Sequence, residues 1–177
     1  KITEDGVTFR SHINGDLYEF TPEFSIKAQK VIGADFIVAF DECTYLGASK
    51  KYTEQAAQRT YDWAVRSLQE FNKKVRSGHT YNQRMYGVIQ GGIYKNLREK
   101  STVEIASLPF FGLALGGISV GETKKELFDQ ISWIMNILQD DPRPRHALGI
   151  SSFDDILKAV IKGIDTFDCV LPTRDGR

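Results

Sequence analysis

Met85-Tyr86-Gly87-Val88-Ile89-Gln90-Gly91-Gly92 is the stretch on which the fold turns. Residues 85–90 are a short apolar run that ends in an amide and a glycine pair, as a buried strand entering a turn does. A helical pattern follows over 97–108, then a second apolar run over 113–119. Parallel strands need such a crossover between them. The alternation continues both ways. Upstream, 35–40 reads as a strand and 53–76 as a long amphipathic helix. Downstream, 124–138 reads as a helix, 146–150 as a strand, 153–164 as a helix and 167–171 as a last strand. The strands are apolar on both faces, as in a parallel sheet covered by helices. The class is therefore α/β with right-handed crossovers. Two closures fit, an open doubly wound sheet and a (β/α)8 barrel. The lack of Gly-x-Gly-x-x-Gly after a strand weighs against the nucleotide-binding form of the open sheet.

Ahead of this pattern, 6–12 and 16–20 read as a hairpin around Asn14-Gly15, a dipeptide suited to a type I′ turn. Thr21-Pro22-Glu23 supplies an N-cap, a first-turn Pro and a first-turn acid, and Gly33 ends that helix. The polar stretches 77–84 and 140–144 are too short to divide domains. One domain is expected over the 177 residues, enough for a sizeable core.

Apolar content of 41% and charged content of 26% suit a soluble globular protein. No apolar run approaches the ~20 residues that span a membrane, and the start lacks the apolar core of a signal peptide. Cys43 and Cys169 lie far apart and outside any Cys-x-x-Cys pair, which points to a reducing, cytoplasmic setting and to no metal site within these residues. The first residue is Lys1 rather than Met, so a piece of a longer protein is expected. A net charge of zero weighs against a dedicated nucleic-acid-binding domain. Arg143, Arg145, Lys158, Lys162, Arg174 and Arg177 nonetheless make the last third locally basic.

In a barrel, chemistry sits at the carboxyl ends of the strands. Those ends here carry Asp41-Glu42-Cys43, Gln90-Gly91-Gly92, Gly116-Gly117-Ile118-Ser119, Leu148-Gly149-Ile150-Ser151 and Asp168. Each has a plainer reading. Asp41 or Glu42 can cap the next segment, Gln90 can bond local backbone, and the glycine pairs can serve packing alone. Asp168, inside an apolar run that Pro172 ends, has the weakest plain reading, because a buried acid must be paired or functional. Together the set suits recognition of a flat polar ring. An acid accepts from ring amino and imino donors, a Gln amide offers donor and acceptor, and glycine backbone approaches a ring edge closely. A second acid can attack a sugar carbon to form a covalent intermediate. Arg174 and Arg177, in a terminal loop, can hold flanking phosphates.

Four motifs carry a family resemblance: Phe40-Asp41-Glu42-Cys43, the stretch from Gly87 to Gly92, Gly116-Gly117-Ile118-Ser119-Val120-Gly121-Glu122, and Phe167-Asp168-Cys169-Val170-Leu171-Pro172-Thr173-Arg174. In this order, along essentially the whole chain, they resemble the queuine tRNA-ribosyltransferases, or tRNA-guanine transglycosylases. The resemblance implies a (β/α)8 TIM barrel, with residues 1–177 forming the middle of its catalytic domain. It implies exchange of the wobble guanine of a GU-containing tRNA anticodon for a 7-deazaguanine, in queuosine biosynthesis. By motif, Asp168 is the nucleophile. Asp41, Gln90 and the Gly117 and Ile118 backbone read the base, and Arg174 and Arg177 contact the tRNA. The target base must leave the anticodon stack to reach the pocket.

Cys43 matches the bacterial pattern, and Val120 is branched where eukaryotic enzymes that accept queuine tend to have Gly. The resemblance therefore points to preQ1 rather than queuine as incoming base. Ile118 replaces a usual Leu, and Leu148 replaces the Met that bacterial enzymes place over the base. The family's Asp-Ser-Gly-Gly-Phe-Gln segment, with a further active-site acid, and its zinc ligands, Cys-x-Cys-x-x-Cys plus His, are not among these residues. Zinc and a homodimer are thus expected of an intact protein, and the isolated piece is expected to be inactive. A noncatalytic accessory tRNA-binding subunit is the alternative, and the presence of Asp168 together with Asp41 and Gln90 weighs against it. An archaeal-type relative acting at another tRNA position and a glycoside hydrolase using Asp41 and Asp168 are further alternatives.

Overall fold

A computed structural model of the chain describes residues 1–73 and 82–176. Seven strands and six helices follow one another: β1 (Val7–Arg10), β2 (Leu17–Phe20), α1 (Pro22–Ile32), β3 (Phe36–Val38), α2 (Lys50–Phe71), β4 (Arg84–Ile89), α3 (Lys95–Ala106), β5 (Gly112–Leu115), α4 (Lys124–Ile137), β6 (Arg145–Leu148), α5 (Phe153–Ile161), β7 (Thr166–Asp168) and α6 (Leu171–Asp175). The expected helix over 53–76 begins three residues earlier, because Ser49 caps it by accepting from the Tyr52 amide at 3.2 Å. It ends at Phe71 with Asn72 as its C-cap, short of the expected end, and residues 74–81 lie outside the described residues.

Strands β3 to β7 form one parallel sheet in strictly sequential order. That order contains no switch point and fits part of a barrel. A doubly wound sheet reverses its order at a switch point, whereas sequential right-handed crossovers put every helix on one side. Ile37, Met85, Ile89, Leu113, Leu115 and Ala147 face outward into one core with Ile26 of α1, Ala64 and Leu68 of α2, Ile105 of α3, Ile131 and Ile134 of α4 and Ala159 of α5. The alternate residues Tyr86, Val88 and Ala114 form a separate small cluster on the other face with Val38 and Leu148. Among the described residues no helix joins that second cluster. The result is a curled five-stranded parallel sheet wrapped by helices, consistent with part of a TIM barrel.

Local chemistry sets the element ends. Thr21 caps α1 with Pro22 in its first turn, and Gly33 closes it with φ 78°. Thr123 and Glu126 form a capping box on α4, the Thr hydroxyl accepting from the Glu126 amide at 3.2 Å and the Glu carboxylate from the Thr123 amide at 2.8 Å. Gly112 is required because a Cβ there would lie 2.3 Å from the Tyr86 ring.

Three expectations are corrected. The hairpin forms, but its turn is not type I′: Gly15 has φ 76° whereas Asn14 is not in the left-handed region, and Ser11 and Asp16 close a four-residue loop instead. The run 113–119 is a strand only to Leu115, after which Arg98 draws the carbonyls of Gly116 and Gly117 out of the ladder. The last strand stops at Asp168, and residues 171–175 turn into helix α6, with Pro172 in its first turn rather than ending the strand. Arg174 is therefore on a short helix, not in a loop. Among the described residues no helix is long and apolar enough to cross a membrane.

Candidate active site

The register sets the site out in a row. Ile89 pairs with Leu115, Leu115 with Ala147, and Leu148 with Asp168. One residue further on, Gln90, Gly116, Leu148 and Asp168 lie side by side on four adjacent strand ends. The alternation that faces Tyr86 and Val88 inward also faces Gln90, Leu148 and Asp168 inward. Gln90 and Asp168 are three strands apart, roughly 14 Å along the sheet.

Asp41 joins from the β3 end because its neighbour is anchored the other way. Glu42 is buried against α2, paired with the Arg59 guanidinium and accepting from the Tyr52 hydroxyl at 2.6 Å. With Glu42 turned outward, Asp41 turns inward and accepts from Gln90 Nε2 at 2.7 Å. Desolvation raises the Asp41 carboxyl above its ordinary value, the Gln90 hydrogen bond opposing. Gln90 is 2% exposed, and its backbone N–H donates to the Ser101 hydroxyl at 3.1 Å. Since a carboxylate only accepts, the amide points its NH2 at Asp41 and leaves Oε1 buried without a partner. Leaving such an acceptor unpaired costs about 1–3 kcal/mol.

Gly116 and Gly117 line the other side of this amide. A Cβ would lie 2.5 Å from Gln90 Nε2 at Gly116, and 2.5 Å from Gln90 Oε1 at Gly117. Packing and access to backbone are thus one requirement here. The Ile118 side chain goes into the outer core, so only its backbone can face the site. Cys43 is exposed beside Gly117, and partial burial together with the nearby Asp41 carboxylate holds its thiol above the ordinary value. Val120 is exposed at the rim of a cleft lined also by Thr44, Tyr45, Gly92 and Gly117. Leu148 packs on the inner cluster.

Asp168 departs from expectation. It is not buried: it ends the edge strand β7 with its side chain 61% exposed. It is paired all the same, with His146 Nε2 at 3.1 Å from Oδ1. Arg174 is exposed beyond it on α6, and Arg177 lies outside the described residues. The structure thus brings Asp41, Cys43, Gln90 and Gly117 together, sets Leu148 and Asp168 further along the same face, and keeps the Ile118 side chain and Arg174 out of the cluster.

Three residues escaped the sequence reading. Arg98 is fully buried on α3 and donates to the carbonyls of Gly92 (2.7 Å), Ile89 (3.2 Å), Gly116 and Gly117 (2.6 Å) and to Gln130 Oε1 (2.8 Å). Burial lowers its guanidinium to about 10, still charged at neutral pH. By taking the carbonyls of Gly116 and Gly117, it turns the following N–H groups of Gly117 and Ile118 the opposite way. The signal was a cation among Leu97, Ser101, Thr102 and Ile105 on the buried face of a helix. The Glu122 carboxylate accepts from the amides of Ser119 and Val120. It holds Ser119 at φ 59°, the one non-glycine positive φ among the described residues. His146 stands two residues before Leu148, hence on the same inward face.

The residues present do not supply a zinc site: among those described, no three His, Cys, Asp or Glu side chains gather as metal ligands. A family model described as queuine tRNA-ribosyltransferase matches residues 1–177. The chain is similar to a queuine tRNA-ribosyltransferase of Desulforamulus reducens, 40% identical over 99% of the chain and 45% of the relative. It is likewise 41% identical to those of Thermoanaerobacter pseudethanolicus and Zymomonas mobilis, over 100% of the chain and 45% of each relative. The chain thus spans a little under half the length of the curated relatives it matches. With motif order, strand-end geometry and a match along all 177 residues in agreement, the chain belongs to the queuine tRNA-ribosyltransferase family.

Proposed function

We propose that the complete protein of which these residues form the middle of a TIM-barrel catalytic domain is a tRNA-guanine transglycosylase, exchanging the wobble guanine of a GU-containing anticodon for preQ1. The observation that carries the reading is the inward row from Gln90 to Asp168, with a buried, unpartnered acceptor at one end and an exposed carboxylate at the other. Asp41, Gln90 and the backbone of Gly117 and Ile118 hold the extruded base by its polar edges, Leu148 packs on its face, and Cys43 and Val120 bound the side toward the 7-substituent. Arg174 and Arg177 hold the tRNA backbone.

The reaction has two displacements at the ribose C1′. An Asp168 oxygen bonds to C1′ as the bond from C1′ to N9 breaks, and the electron pair leaves with guanine, which takes up a proton at N9. The incoming 7-deazaguanine gives up its N9 proton and attacks C1′, and the Asp168 carboxylate leaves. The acid and base for these protons belong to a part of the protein outside residues 1–177. So does the zinc of the family, which is assigned no step. The working form is a cytoplasmic homodimer.

The test is incorporation of labelled guanine into tRNA by the complete protein and its Asp168→Asn variant, with preQ1 and queuine as competitors. Incorporation abolished by the variant, with preQ1 the better competitor, is expected. No incorporation by the folded, zinc-loaded protein points instead to a noncatalytic tRNA-binding subunit.

A further inference from the structure

Asp168 has one side-chain partner that the base-exchange scheme above does not use. His146 lies on β6, directly beside β7, with its side chain 18% exposed. Its Nε2 meets Asp168 Oδ1 at 3.1 Å, and its Nδ1 meets Thr166 Oγ1 at 2.9 Å. Tyr86 of β4 approaches the imidazole with ring centroids 5.8 Å apart. Ala114 of β5 is its strand neighbour and leaves room for the ring. The groups facing His146 are therefore Asp168 and Thr166 from β7 and Tyr86 from β4, and Asp168 is the charged one among them.

The hydrogen bonds assign the protons. A carboxylate only accepts, so Nε2 carries a hydrogen and donates it to Asp168. The Thr166 hydroxyl can donate to a neutral Nδ1 or accept from a protonated one. Both charge states of the imidazole are thus satisfied without movement of the ring, and the ring keeps one Asp168 oxygen engaged in either. The other oxygen, Oδ2, is not engaged by His146, and the Asp168 side chain is 61% exposed.

We propose that His146 is a positioning residue for the Asp168 nucleophile, held by Thr166 so that it donates to Oδ1 and aims Oδ2 at the ribose. This inference rests on the transglycosylase reading above. Its bond does not touch the substrate; it limits rotation of the carboxylate, and misplacement of a nucleophile by about an ångström can cost on the order of 100-fold.

The experiment is single-turnover release of labelled guanine from tRNA by the complete protein, across pH 5 to 8. It compares His146→Phe, which keeps a ring beside Tyr86 but no donor, with His146→Gln, which keeps a donor that does not titrate. Release by His146→Phe is expected to fall about 10- to 100-fold with the KM for tRNA unchanged. His146→Gln is expected to recover most of that loss. Unimpaired release by His146→Phe, or equal impairment of both variants, overturns the proposal. Asp168→Asn, assayed alongside, separates the two readings: guanine release that survives it refutes Asp168 as nucleophile whatever His146 does.

Discussion

Asp41 and Arg98 show single side chains at this rim acting on stability in opposite directions. Asp41 sits where burial raises its carboxyl above 3.8, so the folded state binds that proton more tightly than the unfolded chain. The stability it contributes is present below the unfolded value and is lost as pH rises through the raised one. Asp41→Asn is therefore expected to raise the melting temperature at pH 7, with the gain shrinking toward pH 4, while guanine affinity measured by calorimetry falls at least 10-fold. In the parent, guanine affinity is expected to weaken as pH drops and the acceptor carboxylate is neutralised. Arg98 is the opposite case. Its guanidinium closes five contacts in the interior, and Arg98→Met leaves those carbonyls unpaired. A loss of about 3–5 kcal/mol is expected in urea unfolding, the range for breaking a buried charged network. Arg98→Lys, with a point charge in place of the planar fork, should lose less, yet still loosen the Gly116-Gly117 backbone.

The strands and helices owe their beginnings and ends to side chains that stand in for backbone. The open edge of β3 is an example. Gln29 of α1 donates from Nε2 to the Val38 carbonyl and accepts from the Val38 amide at Oε1, both at 2.9 Å. An amide side chain thus replaces a neighbouring strand and blunts an edge that would otherwise invite pairing. Gln29→Leu is expected to cost about 1–3 kcal/mol by leaving those two groups unpaired. Faster hydrogen exchange at the Val38 amide would locate the effect. Unchanged exchange there would show that the edge does not need the amide.

Taken as a whole, the fold leaves apolar surface at both flanks. Phe153, Leu157, Val160 and Ile161 are exposed along one face of α5, and Val31 and Ile32 at the end of α1. Phe36 and Phe111 are also exposed. Contiguous apolar surface on a soluble chain favours association. A polypeptide of residues 1–177 produced alone is expected to run as oligomers in size exclusion with light scattering and to show no guanine exchange. Leu157→Glu with Ile161→Lys should shift it toward the monomer. A monodisperse monomer without those changes, or robust exchange by the polypeptide alone, would contradict this expectation.

Much of this was legible along the chain. The Thr21-Pro22-Glu23 start, the Gly33 stop, the order of strands and helices and the strand-end glycines all depend on neighbours within a few residues, where propensity and capping act. Asp41 and Gln90 were legible too, as polar residues that close apolar runs, and Asp168 as an acid set inside one. What stayed hidden depends on register between distant segments. Asp41 meets Gln90 across 49 positions, Arg98 meets Gln130 across 32, and His146 meets Asp168 across 22. The Asn14-Gly15 turn, the early ends of β5 and β7, and the exposure of Asp168 likewise follow from where neighbouring strands and Arg98 place the backbone. Local sequence sets which element forms, because its energetics are settled within a turn or two. The sequential parallel sheet sets which side chains share a face, because that depends on pairing that no short window of sequence contains.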